Sequence, residues 1–288
     1  MPEAIESHLM TKPIKESTMR IVQSSQNERL KALRHALQHK GRTRKDSDGQ
    51  MLVGIEGENL ILEAVRSQVR IMTLFVTQTA AERLDPTTLD YADEVLVVED
   101  SLLAEAVSTE TPQSVAALVQ APEFNETALY LGSPLIVVSA GLQDPGNLGT
   151  LIRSAEAFGA TGLIAMPGTV SEWNPKSLRA SAGSAFRLPI LHWSEEETMA
   201  AFAKAGVPVF AAIAEGQDAA EYDLNKPVAL VIGNEGNGLT PEFIARCAGK
   251  ISIPCPGPVE SLNAAAAASI LLYETSRQRS AVRKGLVP

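Results

Sequence analysis

The sequence predicts an α/β protein of two domains, and three observations lead to that prediction. Its 288 residues are enough for two domains that each bury a core. Strand-like apolar segments alternate with helix-like segments, which is typical of a sheet covered by helices. The alternation breaks over residues 121–132 (APEFNETALYLG), which lack a period and contain Pro and Gly. We therefore expect a first domain over residues 23–120, a linker over 121–133 and a second domain over 134–288.

The first domain is predicted to be a small α/β unit that follows a flexible tail over residues 1–22. Leu30, Leu33 and Leu37 recur at helical spacing and predict a helix to about Lys40, before a charged, turn-rich loop. The remaining pattern predicts strands over 51–55, 71–76, 94–98 and 115–119, and helices over 58–68, near Ala80 and over 102–106.

The second domain is predicted to hold a parallel sheet. Residues 134–139 form an apolar run that is typical of a strand buried on both faces. Because strands and helices alternate, ligands are expected at the carboxyl ends of the strands. Further strands are predicted over 162–165, 189–192, 207–212, 228–232 and 250–253, and helices over 148–158, 195–205, 241–247 and 262–279.

Composition predicts a cytoplasmic, folded protein. Hydrophobic residues make up 45% and charged residues 20%, as in globular proteins. The two cysteines, Cys247 and Cys255, have neither CxxC spacing nor a nearby histidine, so we expect no metal site and a reducing compartment. The first twenty residues lack the apolar core of a signal peptide, and no apolar run reaches the roughly 18 residues of a membrane span. We therefore expect no membrane partner.

The charge distribution points to phosphate contacts, although the net charge of −9 does not. Residues 28–45 contain two histidines and seven cations against one acid, and the tail after Glu274 has four cations and no acid. A solvated helix face is the alternative for either cluster. The cations concerned are Arg29, Lys31, Arg34, Lys40, Arg42, Arg44 and Lys45 in the first cluster and Arg277, Arg279, Arg283 and Lys284 in the second.

A first polar motif follows the strand that opens the second domain. In LQDPGNLGTLIRSAEAFGA (142–160), Asn147 lies near the start of a helix and Arg153 about two turns later. Asn147 could be a plain helix cap. Arg153 interrupts an apolar helix, so we expect it to pair with another group or to face a cleft.

Two further loops resemble the first in combining polar residues with glycine. In VIGNEGNGL (231–239) the glycines allow the backbone to approach a ligand closely, but their spacing does not fit a dinucleotide-binding fingerprint. Glu235 in this loop is either a turn former or a partner for Arg153. In IPCPGPVESLN (253–263) a rigid turn brings Ser261 and Asn263 to a helix start, as a site or as a cap. Three such loops in one half of the chain predict one composite pocket.

Between these loops, residues 174–186 place Lys176 and Arg179 on one helix face. Cations three residues apart beside a Ser-Ala-Gly-Ser stretch suit a phosphate-lined groove. A solvated face is the alternative.

The order of the motifs resembles a known enzyme family. Three motifs of this chain are similar to the three signatures of SpoU-type (TrmH-like) RNA ribose 2'-O-methyltransferases, of the SPOUT superfamily. In chain order they are N-x-G-x-x-x-R-x-A-x-x-F-G, G-N-E-G-x-G and I-P-x-x-G-x-x-x-S-L-N-x-x-x-A. The likeness covers about residues 135–273, and residues 27–64 resemble the ribosomal-protein-like RNA-binding domain of many members. It implies a trefoil-knotted C-terminal domain that binds S-adenosylmethionine in the knot, and a homodimer in which the knot regions of the two copies pack together.

The resemblance also implies roles for individual residues. Backbone around Gly233, Ile253 and Leu262 would hold the cofactor. Cys255 departs from the family, which more often has an apolar residue there. The catalytic positions fall on Asn147, Arg153, Glu235, Ser261 and Asn263. The expected RNA-binding residues are Arg29, Lys31, Arg34, Arg42, Arg44, Lys176 and Arg179.

Methyl transfer to a ribose requires that the 2'-hydroxyl be oriented and lose its proton. In the family the arginine at position 153 has been proposed as the base, but a guanidinium with a pKa above about 12 is a poor one. We prefer the hypothesis that Arg153 grips the target phosphate while Asn147, Ser261 and Asn263 fix the ribose, with Glu235 holding Arg153 or its own loop.

The expected substrate is a structured RNA, with ribosomal RNA ahead of transfer RNA, and the need for a 2'-hydroxyl excludes DNA. A catalytically silent RNA-binding assembly factor is the alternative from another class. A nucleotide-cofactor oxidoreductase is disfavoured because the fingerprint is missing.

Overall fold

The first domain is built on a six-stranded mixed sheet. A computed structural model describes residues 19–38, 44–45, 49–107, 113–234, 236, 238–258 and 261–283. The strand order is β1-β5-β4-β6-β3-β2, parallel over the first three strands and antiparallel beyond them. The strands are β1 Arg20–Val22, β2 Arg44–Lys45, β3 Met51–Glu56, β4 Ile71–Val76, β5 Val95–Val98 and β6 Val115–Gln120. The helices are α1 Glu28–Gln38, α2 Glu58–Arg66, α3 Gln78–Arg83, α4 Pro86–Tyr91 and α5 Asp100–Ala106.

The second domain contains a six-stranded sheet in which every neighbouring pair is parallel. Its order is β12-β10-β11-β7-β8-β9, and the predicted α/β fold with a parallel second sheet is confirmed. The strands are β7 Leu135–Ala140, β8 Gly162–Ala165, β9 Ile190–His192, β10 Val209–Asp218, β11 Val228–Gly233 and β12 Gly249–Ser252. The helices are α6 Pro145–Ala157, α7 Pro175–Ser181, α8 Glu195–Ala205, α9 Pro241–Arg246 and α10 Ala264–Arg283.

Two segments that the sequence assigns to a tail and a linker are structured. The tail prediction over residues 1–22 is wrong at its end, because β1 pairs in parallel with β5 and buries Val22. In the linker, Glu126–Tyr130 forms a 3-10 helix whose Leu129 is fully buried in the core of the second domain. Both segments bury only one or two apolar side chains, so neither shows a period in the sequence.

The two domains are in direct contact through α7 and the turn that follows it. Leu37 and Ile55 of the first domain line one small cavity together with Pro175 and Leu178 of the second. Gly183 has φ +86°, and a Cβ there would lie 2.6 Å from the Cβ of Glu63, so only glycine fits. Within the described residues, no helix is both long and apolar enough to span a membrane.

Candidate active site

A crevice opens where β11 and β12 end, beside the irregular middle of β10. It has two adjoining parts of about 300 and 520 Å³ that share residues 212–214, Ser261, Leu262 and Ala267. Ile253 lines the first part, Gly233 the second and Leu262 both. The three residues predicted to hold a cofactor therefore meet in one place, at the sheet edge where parallel folds bind ligands.

The loop after β11 is tied to the loop after β7. The Asn234 side chain donates to the Gly141 carbonyl at 2.7 Å, and its oxygen accepts from the Gly236 N–H at 2.8 Å. A Cβ at Gly233 would lie 2.8 Å from the Gly238 carbonyl carbon, so the close backbone approach needs glycine. Glu235 lies outside the described residues.

Asp144 caps the helix that carries Asn147 and Arg153. Its Oδ1 accepts from the Asn147 N–H at 2.8 Å, and Pro145 occupies the first turn. Its Oδ2 pairs with Lys176 Nζ at 3.0 Å. The Lys176 ammonium, with the Asn147 N–H, lowers the pKa of the Asp144 carboxyl. The plain-cap alternative for Asn147 is therefore wrong, because the cap is three residues earlier.

Asn147 and Asn263 meet where helices α6 and α10 begin, beside the crevice. Asn263 Nδ2 donates to Asn147 Oδ1 at 3.0 Å, which joins residues 116 positions apart. Asn263 Oδ1 accepts from the N–H groups of Ala265 and Ala266 and so caps α10. Ser261 lines the crevice two residues earlier. Three of the predicted catalytic residues are thus brought together, and Asn263 is both a cap and part of this cluster.

Arg153 lies on the outer side of α6. It is exposed and, among the described residues, has neither a hydrogen bond nor an ion pair. Glu235, its predicted partner, lies outside the described residues, so that pairing stays a prediction. Helices α6 and α10 pack side by side through the Ser154–Ser269 hydroxyl contact at 2.7 Å and the Phe158–Tyr273 rings at 5.8 Å. Ile270 and Tyr273 of α10 are 42% and 54% exposed on the outside of this helix pair.

The cations predicted on α1 have acidic partners within the first domain. Arg29 lies 3.3 Å from Glu94, Lys31 lies 3.1 Å from Glu28, and Arg34 lies 3.5 Å from Glu105. Glu94 and Glu105 are distant in sequence, so a local charge count misses them. Arg44 lies in edge strand β2, and Arg42 is outside the described residues.

Of the C-terminal cations, Arg277 and Arg279 have partners within the chain, whereas Lys284 lies outside the described residues. Arg277 pairs with Glu274 on the same helix. Arg279 donates to four backbone carbonyls, so the expectation of a phosphate contact is wrong for this residue. These carbonyls, which the sequence pattern cannot reveal, belong to Ser133, Pro134, Leu224 and Lys226.

Arg179 differs from these cations. It is exposed, and no described residue pairs with it. With Gly57, Arg66 and Arg83 it lines a cleft of about 910 Å³ between the two domains. Its helix packs closely on α6, since a Cβ at Gly149 would lie 2.3 Å from the Ser177 carbonyl oxygen.

The two cysteines and the side chains that could bind a metal were also located. Cys247 is partly buried, and burial raises the pKa of its thiol to about 11. Cys255 is exposed beside the crevice. Among the residues that could be placed, no group of three His, Cys, Asp or Glu side chains is arranged to hold a metal.

Both parts of the chain match described families. Residues 134–273 match the SpoU rRNA Methylase family, and residues 27–117 match the MRM3-like substrate binding domain. A 23S rRNA (guanosine(2553)-2'-O)-methyltransferase from Bacillus subtilis is 30% identical over 88% of this chain and 98% of its own length. A 23S rRNA (uridine(2479)-2'-O)-methyltransferase from Streptomyces viridochromogenes is 33% identical over 68% of this chain and 71% of its own.

Solved structures show the same arrangement. The SpoU methyltransferase AviRb from Streptomyces viridochromogenes, in complex with AdoMet, has a TM-score of 0.74 and 30% identity over 88% of this chain and 98% of that one. An AdoMet-bound rRNA methyltransferase from Sinorhizobium meliloti has a TM-score of 0.76 and 29% identity over 90% and 98%. These two matches span both domains.

Proposed function

Because the chain belongs to the SpoU rRNA methylase family, we propose that it transfers the methyl group of S-adenosylmethionine to a ribose 2'-hydroxyl of ribosomal RNA. The family predicted from the three motifs is confirmed. The observation that supports the proposal best is the Asn263–Asn147 hydrogen bond of 3.0 Å at the crevice. It places two amides from separate motifs beside a cavity of small-molecule size.

The crevice suits S-adenosylmethionine by its chemistry. Its walls are backbone and mostly small or apolar side chains, and at Gly233 a Cβ would fill space that the backbone needs. We propose that backbone around Gly233, Ile253 and Leu262 holds the molecule. When bound, it supplies a methyl group on a sulfonium, which an oxygen nucleophile can attack.

The residues of this chain would act mainly by positioning. Asn147, Ser261 and Asn263 offer amide and hydroxyl groups that can fix a ribose beside the crevice, and holding reactants in attack geometry supplies much of the rate in such reactions. Arg153 would grip the target phosphate through its forked guanidinium. Glu235 would hold Arg153 or its own loop, as the sequence predicts.

The RNA would lie across both domains. Arg179 and Lys176 face the open side of α7, and α7 connects the cleft between the domains with the start of α6. The first domain would contribute the cations of α1, together with Arg42 and Arg44. Their acidic partners would have to be displaced for direct phosphate contact.

We also propose a homodimer that forms through the outer side of α6 and α10. Exposed Ile270 and Tyr273 lie there, and Arg153 lies on the neighbouring helix of the same surface. Exposed apolar side chains that cluster in this way are typical of interfaces. A second copy on this surface would enclose Arg153 in a cleft between the two chains. The trefoil knot and the cytoplasmic location stay predictions.

Mapping ribose methylation in ribosomal RNA tests the function directly. A strain without this gene should lack one 2'-O-methyl group that the parent carries, and the wild-type gene should restore it. Asn147→Ala should not restore it. Asn125→Ala is the matched control, since Asn125 precedes a 3-10 helix at the amino ends of the strands, opposite the crevice.

Two outcomes would contradict the proposal. If no ribosomal ribose differs between the strains but one in transfer RNA does, the substrate is wrong. If calorimetry detects no S-adenosylmethionine binding and no RNA gains a methyl group, while the chain still binds ribosomal RNA, the chain is a silent RNA-binding factor.

A further inference from the structure

Arg187 joins the two domains through a single side chain. It follows the 3-10 helix Ser184–Phe186 in the second domain. Its Nη1 donates to Glu63 Oε2 at 2.8 Å and to Ser67 Oγ at 2.9 Å, in and just after α2. Its Nε and Nη2 donate to the two oxygens of Glu156 at 2.6 and 2.9 Å. Glu156 belongs to α6, the helix that carries Asn147 and Arg153.

The contact is more constrained than an ordinary surface ion pair. The fork on Glu156 is bidentate, which fixes the plane of the guanidinium. The side chains of Arg187, Glu63 and Glu156 are only 36%, 23% and 31% exposed. Gly183 brings the preceding turn against the Glu63 side chain, so backbone and side chain meet α2 at the same point.

Building on the function proposed above, we propose that Arg187 is a positioning residue that sets the angle between the RNA-binding domain and α6. Domains joined by a linker move relative to each other unless their interface holds them. RNA held by the first domain must present one ribose at Asn147 and the crevice. A misplacement of about 1 Å can cost about 100-fold in rate, so the domain angle matters for transfer.

The alternative is that Arg187 merely stabilises the fold. Arg66 provides a matched control, because it binds the same Glu63 carboxylate at 2.7 Å but lies within α2. Arg66→Gln removes a cation from Glu63 and leaves the link between the domains. Arg187→Gln removes the link itself.

The domain angle can be measured by pulsed EPR on the full chain. Cys247 and Cys255 are replaced by Ser, and spin labels are attached after Asp90→Cys and Lys204→Cys, which are exposed positions in the two domains. We expect Arg187→Gln to broaden the distance distribution and Arg66→Gln to leave it unchanged. If Arg187→Gln does not fold, Glu63→Ala removes the acceptor at the other end of the link while it preserves the fork on Glu156. Unchanged distributions in both link variants would overturn the proposal.

Kinetics supply the second readout. Arg187→Gln should lower kcat/KM for RNA by about ten- to a hundredfold while S-adenosylmethionine binds with unchanged affinity. Arg187→Lys should be intermediate, because an ammonium lacks the fork that holds both carboxylates. Because Arg66 also lines the cleft between the domains, the kinetic control is Arg70→Gln, which removes an ion pair with Asp93 inside the first domain. Equal losses in Arg70→Gln and Arg187→Gln would indicate a structural role only. If the wild-type chain methylates no RNA, the proposed function fails, yet the EPR comparison still tests the link.

Discussion

Asn147 and Asp144 lie three positions apart at the start of α6, and their roles divide clearly. Asp144 accepts the Asn147 N–H and pairs with Lys176, so it fixes the helix start. The Asn147 side chain instead accepts a hydrogen bond from Asn263. The sequence signals this division, because Asp followed by Pro is a helix-start pattern. Asp144 is the functional residue that reasoning from the motifs misses.

The variant Arg153→Lys distinguishes two possible roles of Arg153, that of a phosphate anchor and that of the base. If Arg153 grips phosphate, lysine keeps the charge but loses the bidentate fork. We expect KM for RNA to rise roughly tenfold, with kcat and its pH profile nearly unchanged. Steady-state methylation across a range of pH measures both. A displaced limb in the kcat profile would instead indicate that this residue takes the proton.

His192 and Glu172 form a pH-dependent pair at the end of β9. Glu172 is 4% exposed and its Oε1 lies 3.0 Å from His192 Nε2. The hydrogen bond to Glu172 raises the pKa of His192 above its ordinary 6.5, although burial opposes the shift. A raised histidine pKa gives stability that is fully present below pH 6.5 and is lost as pH rises through the folded-state value.

We therefore expect the cost of His192→Gln to depend on pH. Glutamine still donates to Glu172 but does not titrate. The free energy of unfolding that the variant loses should be larger at about pH 5.5 than at about pH 8.5. Urea denaturation at the two pH values measures the difference. Equal losses at both would show that the pair carries no linked proton.

At the scale of elements, α10 begins at a residue with two separable functions. Asn263 Oδ1 caps the helix, whereas its Nδ2 reaches α6. Asn263→Ser should keep the cap, because serine is about as good in that position, and lose the contact with Asn147. Asn263→Ala should lose both.

We expect Asn263→Ser to unfold with nearly wild-type free energy and Asn263→Ala to be less stable by about 1 kcal/mol. Both should transfer methyl groups roughly tenfold more slowly, which corresponds to one neutral hydrogen bond. Chemical denaturation and single-turnover methylation measure the two quantities. Wild-type transfer by Asn263→Ser would mean that the Asn147 contact has no part in the reaction.

Elements with strong local signals could be predicted closely from the sequence. The prediction over 195–205 coincides with α8 Glu195–Ala205, where Ser194 and Glu197 form a capping box. By contrast, the strand predicted over 207–212 continues to Asp218, because after an irregularity between Ala212 and Gln217 the chain pairs again with β12. That continuation depends on a distant strand, which local periodicity cannot show.

At the scale of the whole molecule, the sequence predicts which loops form the site but not how the domains are oriented. The three motif loops follow strands of one parallel sheet, so their meeting at one edge is expected. The link from Arg187 to Glu63 depends on residues 124 positions apart that belong to no motif. Arg279 likewise looks like a phosphate contact until its carbonyl partners are seen. Long-range polar contacts leave no periodic trace.

The proposed homodimer through α6 and α10 can be tested with the variant Ile270→Glu. A carboxylate in the centre of the proposed interface would be desolvated without a partner, so we expect a monomer by light scattering where the wild-type chain is a dimer. Leu131→Glu is the matched control, because Leu131 is 68% exposed but lies in the linker.

The monomeric variant should still bind S-adenosylmethionine, since the crevice belongs to one chain. It should transfer methyl groups at least tenfold more slowly, because Arg153 loses the cleft between the two copies. A monomeric wild-type chain, or a dimeric Ile270→Glu variant, would rule out this surface.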